Sequence, residues 1–169
     1  MSDNGRTEIW NWIFLSVLLL SGPCCVSADD LEIAYRVSMP HPTDHYFHVE
    51  IQLAGIARET VDLQMPAWSP GRYLILDFAR NVRGFNAASS SESLPFRKID
   101  KQTWRIHTKG VSQLAVRYQV YGNNLSGELS YLDDSQAFLD GASLYMYVAG
   151  FQDKLVELEV VPPSGWMVL

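Results

Sequence analysis

The chain has 169 residues with 47% hydrophobic content and a formal net charge of −6, enough for one ordinary core and little more. Its pI of about 5.1 leaves no basic footprint for nucleic acid and no polybasic strip for an anionic membrane. An acidic balance of this size predicts a solvated surface rather than a particular ligand.

The first residues read as a separate unit. Arg6 precedes an apolar run from Trp12 to Leu20, then come the breakers Gly22 and Pro23 and the permissive Val26-Ser27-Ala28. That order is an export signal, residues 1–28, with Asp29 as the mature start. Asp3 and Glu8 dilute the positive end and leave an uncleaved anchor as the other reading, although the run is shorter than the ~20 apolar residues that span a bilayer. Cleavage would remove Asp3, Glu8 and Arg6, one net negative charge, so the domain stays acidic. It would also remove Cys24 and Cys25, the two cysteines, and an exported domain would then rest on its core rather than on disulfides. The expected location is exported, periplasmic or secreted, with no stable membrane insertion after cleavage.

From Leu31 the pattern alternates. Leu31, Ile33, Tyr35 and Val37 share one face of a strand that stops at Pro40, and Phe47, Val49, Ile51 and Leu53 repeat it, with His41 to Asp44 as the antiparallel link. Val61, Leu63 and Met65 form a third strand that runs into Met65 to Arg80, MPAWSPGRYLILDFAR. Pro66 and Pro70 exclude a helix through Ala67 to Pro70, Gly71 is free to take positive φ, and Trp68 brings a large ring with one N–H to satisfy. A short helical turn is expected near Leu74 to Arg80.

Ala87 to Ser93 reads as a loop tip of small and polar residues. Trp104 and Ile106 alternate with Thr103, Arg105 and His107, and Lys109-Gly110 is expected to turn that strand into a hairpin with Leu114, Val116, Tyr118 and Val120. Leu125 to Asp140 shows neither period, whereas Leu144 to Val148 and Leu155 to Val161 return to β-favouring residues before Pro162-Pro163. About seven or more short strands predict an all-β fold, an antiparallel β-sandwich with one short helical turn.

Candidate chemistry is sparse. His41-Pro42-Thr43-Asp44-His45 has the i, i+4 spacing of two zinc ligands, but Pro42 stands where a catalytic glutamate belongs and opposes the helix that would aim both rings. With His48 a loop metal site can be drawn; exposed histidines beside a strand are the plainer reading. Asp133, Asp134, Asp140 and Glu128 lack the spacing of a calcium loop. No G-x-S-x-G elbow and no glycine-rich phosphate cradle occurs. Asn124-Leu125-Ser126 is a glycosylation sequon, meaningful only in a eukaryotic secretory pathway.

One resemblance covers nearly the whole exported part. Pro66, Trp68, Pro70, Gly71 and Tyr73, followed by Phe78, Ala79, Arg80 and Val82, resemble the PxWxPGxY and FA(R/K)xV segments of the N-terminal domain of the glycyl aminopeptidase family. Lys98, Asp100, Lys101, Thr103 and Trp104, then Val116 to Tyr121, Tyr131-Leu132-Asp133, Phe138 to Gly141 and Pro163 to Trp166, resemble its later segments. Members are zinc metallopeptidases with a β-rich domain, a thermolysin-like catalytic domain and a PDZ domain. The resemblance implies that residues 29–169 are the non-catalytic domain, that zinc belongs to a catalytic domain absent here, and that peptide substrate is met through that domain. No catalytic residue, cofactor or metal ligand is assigned to this chain. Without H-E-x-x-H it is expected to be inactive alone, as a fragment of a longer protein would be.

Tyr73, Asp77, Tyr131 and Asp133 are the residues the resemblance suggests for substrate contact, and Pro66, Trp68, Pro70, Gly71 and Trp104 are its structural motif. The chain departs from the family pattern at Arg72, Gly127-Glu128, Gln136 and Asp140, so a strict glycine preference does not carry over. The alternative function is a free-standing secreted β-sandwich module that binds peptide or glycan on the Trp68 and Tyr73 surface.

Overall fold

A computed structural model describes residues 31–71, 74–90, 92–125 and 129–169. The leader at residues 1–28 and the Tyr73 position lie outside those residues. The strands are β1 (Glu32–Ser38), β2 (Tyr46–Ala54), β3 (Thr60–Gln64), β4 (Val82–Ala88), β5 (Phe96–Lys98), β6 (Thr103–His107), β7 (Gln113–Tyr121), β8 (Tyr131–Leu132), β9 (Ala137–Phe138), β10 (Tyr147–Val148) and β11 (Glu157–Val161). Among the described residues helix is confined to one four-residue α-helix, α1 (Gly141–Leu144), and to 3-10 turns at Pro42–Asp44 and Phe78–Asn81. Among the described residues no helix is long and apolar enough to cross a membrane.

A five-stranded sheet in the order β11-β1-β2-β7-β4 faces a four-stranded sheet in the order β10-β3-β6-β5, and β8 and β9 form a small hairpin of their own. The period-2 pattern explains the packing. Val37, Phe47, Val49, Ile51, Leu53, Val116, Tyr118 and Val120 turn inward from the large sheet and meet Val61, Leu63, Trp104 and Ile106 of the other. The outward face of the large sheet carries a charge row at matched register, Glu159, Arg36, Glu50 and Arg117, joined by Arg36–Glu159 at 3.3 Å and Arg117–Glu50 at 2.7 Å. Such a face is a wet one.

The sandwich is mostly antiparallel, with one parallel pair, β1 and β11, where the chain returns to the sheet edge after the long excursion through the small elements. Three other details correct the sequence reading. β6 and β7 are not a hairpin: β6 pairs with β3 and β5 while β7 pairs with β2 and β4, so Lys109-Gly110 carries the chain from one sheet to the other. Thr108 fixes this crossing, donating through its hydroxyl to the Arg58 carbonyl at 2.6 Å and through its N–H to Glu59 at 2.8 Å. Ala87 is not in a loop tip but fully buried in β4. Leu125 to Asp140, irregular by its pattern, contains the β8–β9 hairpin.

β4 has a register shift between Arg83 and Asn86, and Gly84 within it has φ +60. The shift aims Phe85 into the seam between the sheets, where it stacks on Trp104 at 5.4 Å and packs beside Phe96 at 4.8 Å. Lys98 Nζ lies 4.2 Å from the Trp104 ring centroid on that ring's other contact. Trp104 is therefore a core residue of the domain.

Candidate functional site

Two loop systems at one end of the sandwich carry the residues singled out by sequence. The first follows β3. Met65 is fully buried and its N–H donates to the Gln102 carbonyl at 2.9 Å, which ties the loop's start to the β5–β6 turn. Proline removes donors at 66 and 70, Gly71 takes φ +91, and Leu76 N–H closes the loop on the Ala67 carbonyl at 2.8 Å. Phe78 and Ala79 then plunge into the core as the first residues of the 3-10 turn. Between these anchors the loop presents apolar surface outward: Trp68 is 51% exposed, Leu74 59% and Ile75 67%.

Asp77 ends this loop, directly before the 3-10 turn. Its backbone is left-handed, φ 47 and ψ 53, one of two such non-glycine residues among those described. Oδ1 is enclosed by protein, and the Lys101 ammonium approaches it to 2.7 Å while no donor meets it with hydrogen-bond geometry. The carboxylate as a whole is still 44% exposed, so its open side is Oδ2.

The second system follows β7. Gly122 N–H donates to His45 O at 2.8 Å and Leu132 N–H donates to Gly122 O at 2.9 Å, pinning the start of the β8–β9 hairpin. Within it Asp133 accepts from the Tyr131 hydroxyl at 2.7 Å, the Ser135 N–H at 2.8 Å, the Ser135 hydroxyl at 2.7 Å and the Gln136 N–H at 2.8 Å. The Tyr131 hydrogen bond, with those of Ser135 and Gln136, holds the Asp133 carboxyl well below the usual carboxylate range and pushes the Tyr131 phenol up. A carboxylate with four donors stays ionised and rigid, which suits it to shaping a loop and not to proton transfer.

Tyr131 and Asp133 are thus brought into direct contact, and Asp77 sits apart from them. What joins the two systems is α1, which packs against the 78–81 turn. Asp140, followed by small residues, caps α1 by accepting from Ser143 N–H at 2.9 Å, and the buried hydroxyls of Ser130 and Ser143 lie 2.8 Å apart beneath it. Behind this, Tyr118 donates to Leu144 O at 2.9 Å and accepts from Met146 N–H at 3.0 Å, and Tyr35 donates to Met146 O at 2.7 Å. Sequence reasoning missed Lys101 as the partner of Asp77 and missed this hydroxyl network; only the Asp140 cap had a local signature.

Among the described residues no three of His, Cys, Asp and Glu come together as a ligand set. His45 donates through Nδ1–H to the Leu132 carbonyl at 2.5 Å, and His48 Nε2 takes the Gln119 amide at 3.1 Å across β2 and β7. Burial, with His41 nearby, lowers the His48 pKa. The i, i+4 pair, His41 and His45, flanks the Pro42–Asp44 turn, and His48 lies in β2.

The described residues define an antiparallel β-sandwich that carries a proline-bounded loop with outward-facing apolar side chains. The solved structure of an aminopeptidase N family protein from Idiomarina loihiensis is similar, with a TM-score of 0.74 and 34% identity over 78% of this chain and 22% of that one. The chain thus spans about a fifth of that protein's length. No curated protein sequence matches it. The family model described as the Peptidase M61 N-terminal domain matches residues 34–169, and the chain belongs to that family, the N-terminal domain of zinc metallopeptidases.

Proposed function

We propose that residues 29–169 form the packing domain and one wall of the substrate cleft in an exported zinc aminopeptidase, with zinc held by a separate catalytic domain. The observation that carries this reading is the loop 67–76. Its ends are fixed in the core while Trp68, Leu74 and Ile75 stand outward, as an apolar contact surface for a second domain should. Next to it, the open side of Asp77 offers a fixed carboxylate to the ammonium end of a peptide. Tyr73 is proposed to share that contact, and the Tyr131–Asp133 pair to hold the neighbouring hairpin rigid.

The test is twofold. The purified chain, supplied with zinc and Gly- or Ala-terminated peptides, is expected to show no turnover, and metal-dependent hydrolysis by this chain alone would overturn the proposal. Mixed with the catalytic part of a Peptidase M61 relative, the chain should form a complex that W68A and I75D weaken.

The half-exposed Trp68 also supports a second reading, a free-standing secreted module that binds peptide or glycan. Glycan or peptide retention by the chain, lost in W68A with no effect of a catalytic partner, is the result that would favour it.

A further inference from the structure

Beside the 78–81 turn lies a cleft of about 180 Å³ whose walls include Arg80, Asn81, Tyr121, Asn123 and Asn124, with Ser130 and Ser143 at its base. Among the described residues that line it there is no acidic side chain. The two serine hydroxyls are engaged with each other at 2.8 Å and with Asp140, whose N–H donates to Ser130 Oγ at 3.0 Å and whose carbonyl accepts from Ser143 Oγ at 3.1 Å. The walls differ from the base. Tyr121 accepts from Asn123 Nδ2 at 3.2 Å, which leaves its hydroxyl hydrogen free to donate. Among the described residues nothing accepts from the Arg80 guanidinium or the Asn81 side-chain amide. In a chain of net charge −6, the described residues of this small concave site bring together one cation and several unfilled donors.

We infer that this cleft binds a carboxylate group. A guanidinium fork matches the two oxygens of a carboxylate, and the phenol and amides can meet its remaining lone pairs. The volume suits the end of a short peptide or a free small carboxylate, and it is too small for a nucleotide. The inference stands independently of the cleft-wall proposal, which rests on the loop 67–76.

Titration of the isotope-labelled chain, followed by amide NMR shifts, tests it with four probes: acetate, N-acetylglycylglycine, the C-terminal amide of that peptide, and inorganic phosphate. Saturable shifts are expected at Asn81, Tyr121, Asn124, Leu129 and Ser130 with the two carboxylates and not with the amide. Arg80→Gln should weaken binding by about tenfold, the loss of one charge-assisted pair, and leave the melting temperature unchanged. Tyr121→Phe, a second variant on a half-exposed ring, should weaken it by about threefold. Tighter binding of the peptide than of acetate would identify a peptide terminus as the source, and equal binding a free carboxylate. Shifts that do not saturate, that appear equally with the amide, that survive Arg80→Gln, or that favour phosphate would overturn the assignment.

Discussion

Replacing Tyr118 by phenylalanine removes one oxygen from the most enclosed polar contact of the domain. That oxygen donates to Leu144 O and accepts from Met146 N–H, and Leu144 and Met146 are both fully buried, so water cannot replace it. Each net hydrogen bond is worth about 1 kcal/mol and each stranded buried group costs about 1–3 kcal/mol, which places the loss at about 2–4 kcal/mol. Tyr35→Phe strands only one lone pair of Met146 O, and the expected cost is about 1–1.5 kcal/mol. Urea unfolding followed by tryptophan fluorescence separates the two. With a slope of roughly 1.5 kcal/mol/M, the midpoint of Tyr118→Phe should fall by about 2 M and that of Tyr35→Phe by under about 1 M. A Tyr118→Phe loss below about 0.5 kcal/mol, or one no larger than that of Tyr35→Phe, would show that the phenol is not what holds the α1–β10 segment on the core.

The same phenols set an alkaline limit: burial raises Tyr35 to about 12 and Tyr118 further, so their contribution to stability is complete below the ordinary value near 10 and declines as pH rises through the folded values. Unfolding between pH 10 and 12 should therefore be blunted in Tyr35→Phe, as read by far-UV circular dichroism. At the acid end, the bidentate Arg105 pair, at 2.8 and 2.7 Å, lowers the Asp62 pKa, and the stability it confers is present above the ordinary value near 3.8 and lost as pH falls through the folded one. Asp62→Asn should cost about 0.5–1 kcal/mol at pH 7, a figure reduced for partial exposure, and should flatten stability below pH 4; an unchanged acid profile would remove the pair from the account. Gly122→Ala should destabilise by about 1–3 kcal/mol, because the new Cβ would lie 2.6 Å from Phe47 Cε2 and 3.0 Å from the Ser130 carbonyl oxygen, and thermal melts will show whether Phe47 can yield.

Alternation disclosed β1, β2, β3, β6 and β7, since burial on one face is what the period records. It did not disclose which sheet a strand joins, and the supposed β6–β7 hairpin shows why: both strands bury one face in the same core, and only the register with β3 or β2 distinguishes them. β4 was hidden by its register shift, where Gly84 and Asn86 interrupt the period that Val82, Phe85 and Ala87 would otherwise carry. The turn at Pro70-Gly71 was legible because its residues act locally. Lys101 beside Asp77 was not, because that pairing depends on how the β5–β6 turn folds under the loop.

Asp77 holds φ 47 and ψ 53 at the end of the loop. A left-handed backbone costs an ordinary residue roughly 1–2 kcal/mol, less for aspartate, and glycine would remove the cost at this position. The Lys101 contact joins two side chains that are 66% and 44% exposed, and such exposed pairs stabilise by about 0–1 kcal/mol. Stability alone therefore does not account for a carboxylate here in preference to glycine. The geometry instead shields Oδ1 and leaves Oδ2 open, at the end of a loop that exposes Trp68, Leu74 and Ile75 and whose two ends cannot shift without disturbing Met65 or Phe78. Under the proposed function, the side of this carboxylate left open by Lys101 is the one that meets the ammonium end of a peptide. Strain at this residue and the contact proposed for it are thus two expressions of one arrangement of the backbone.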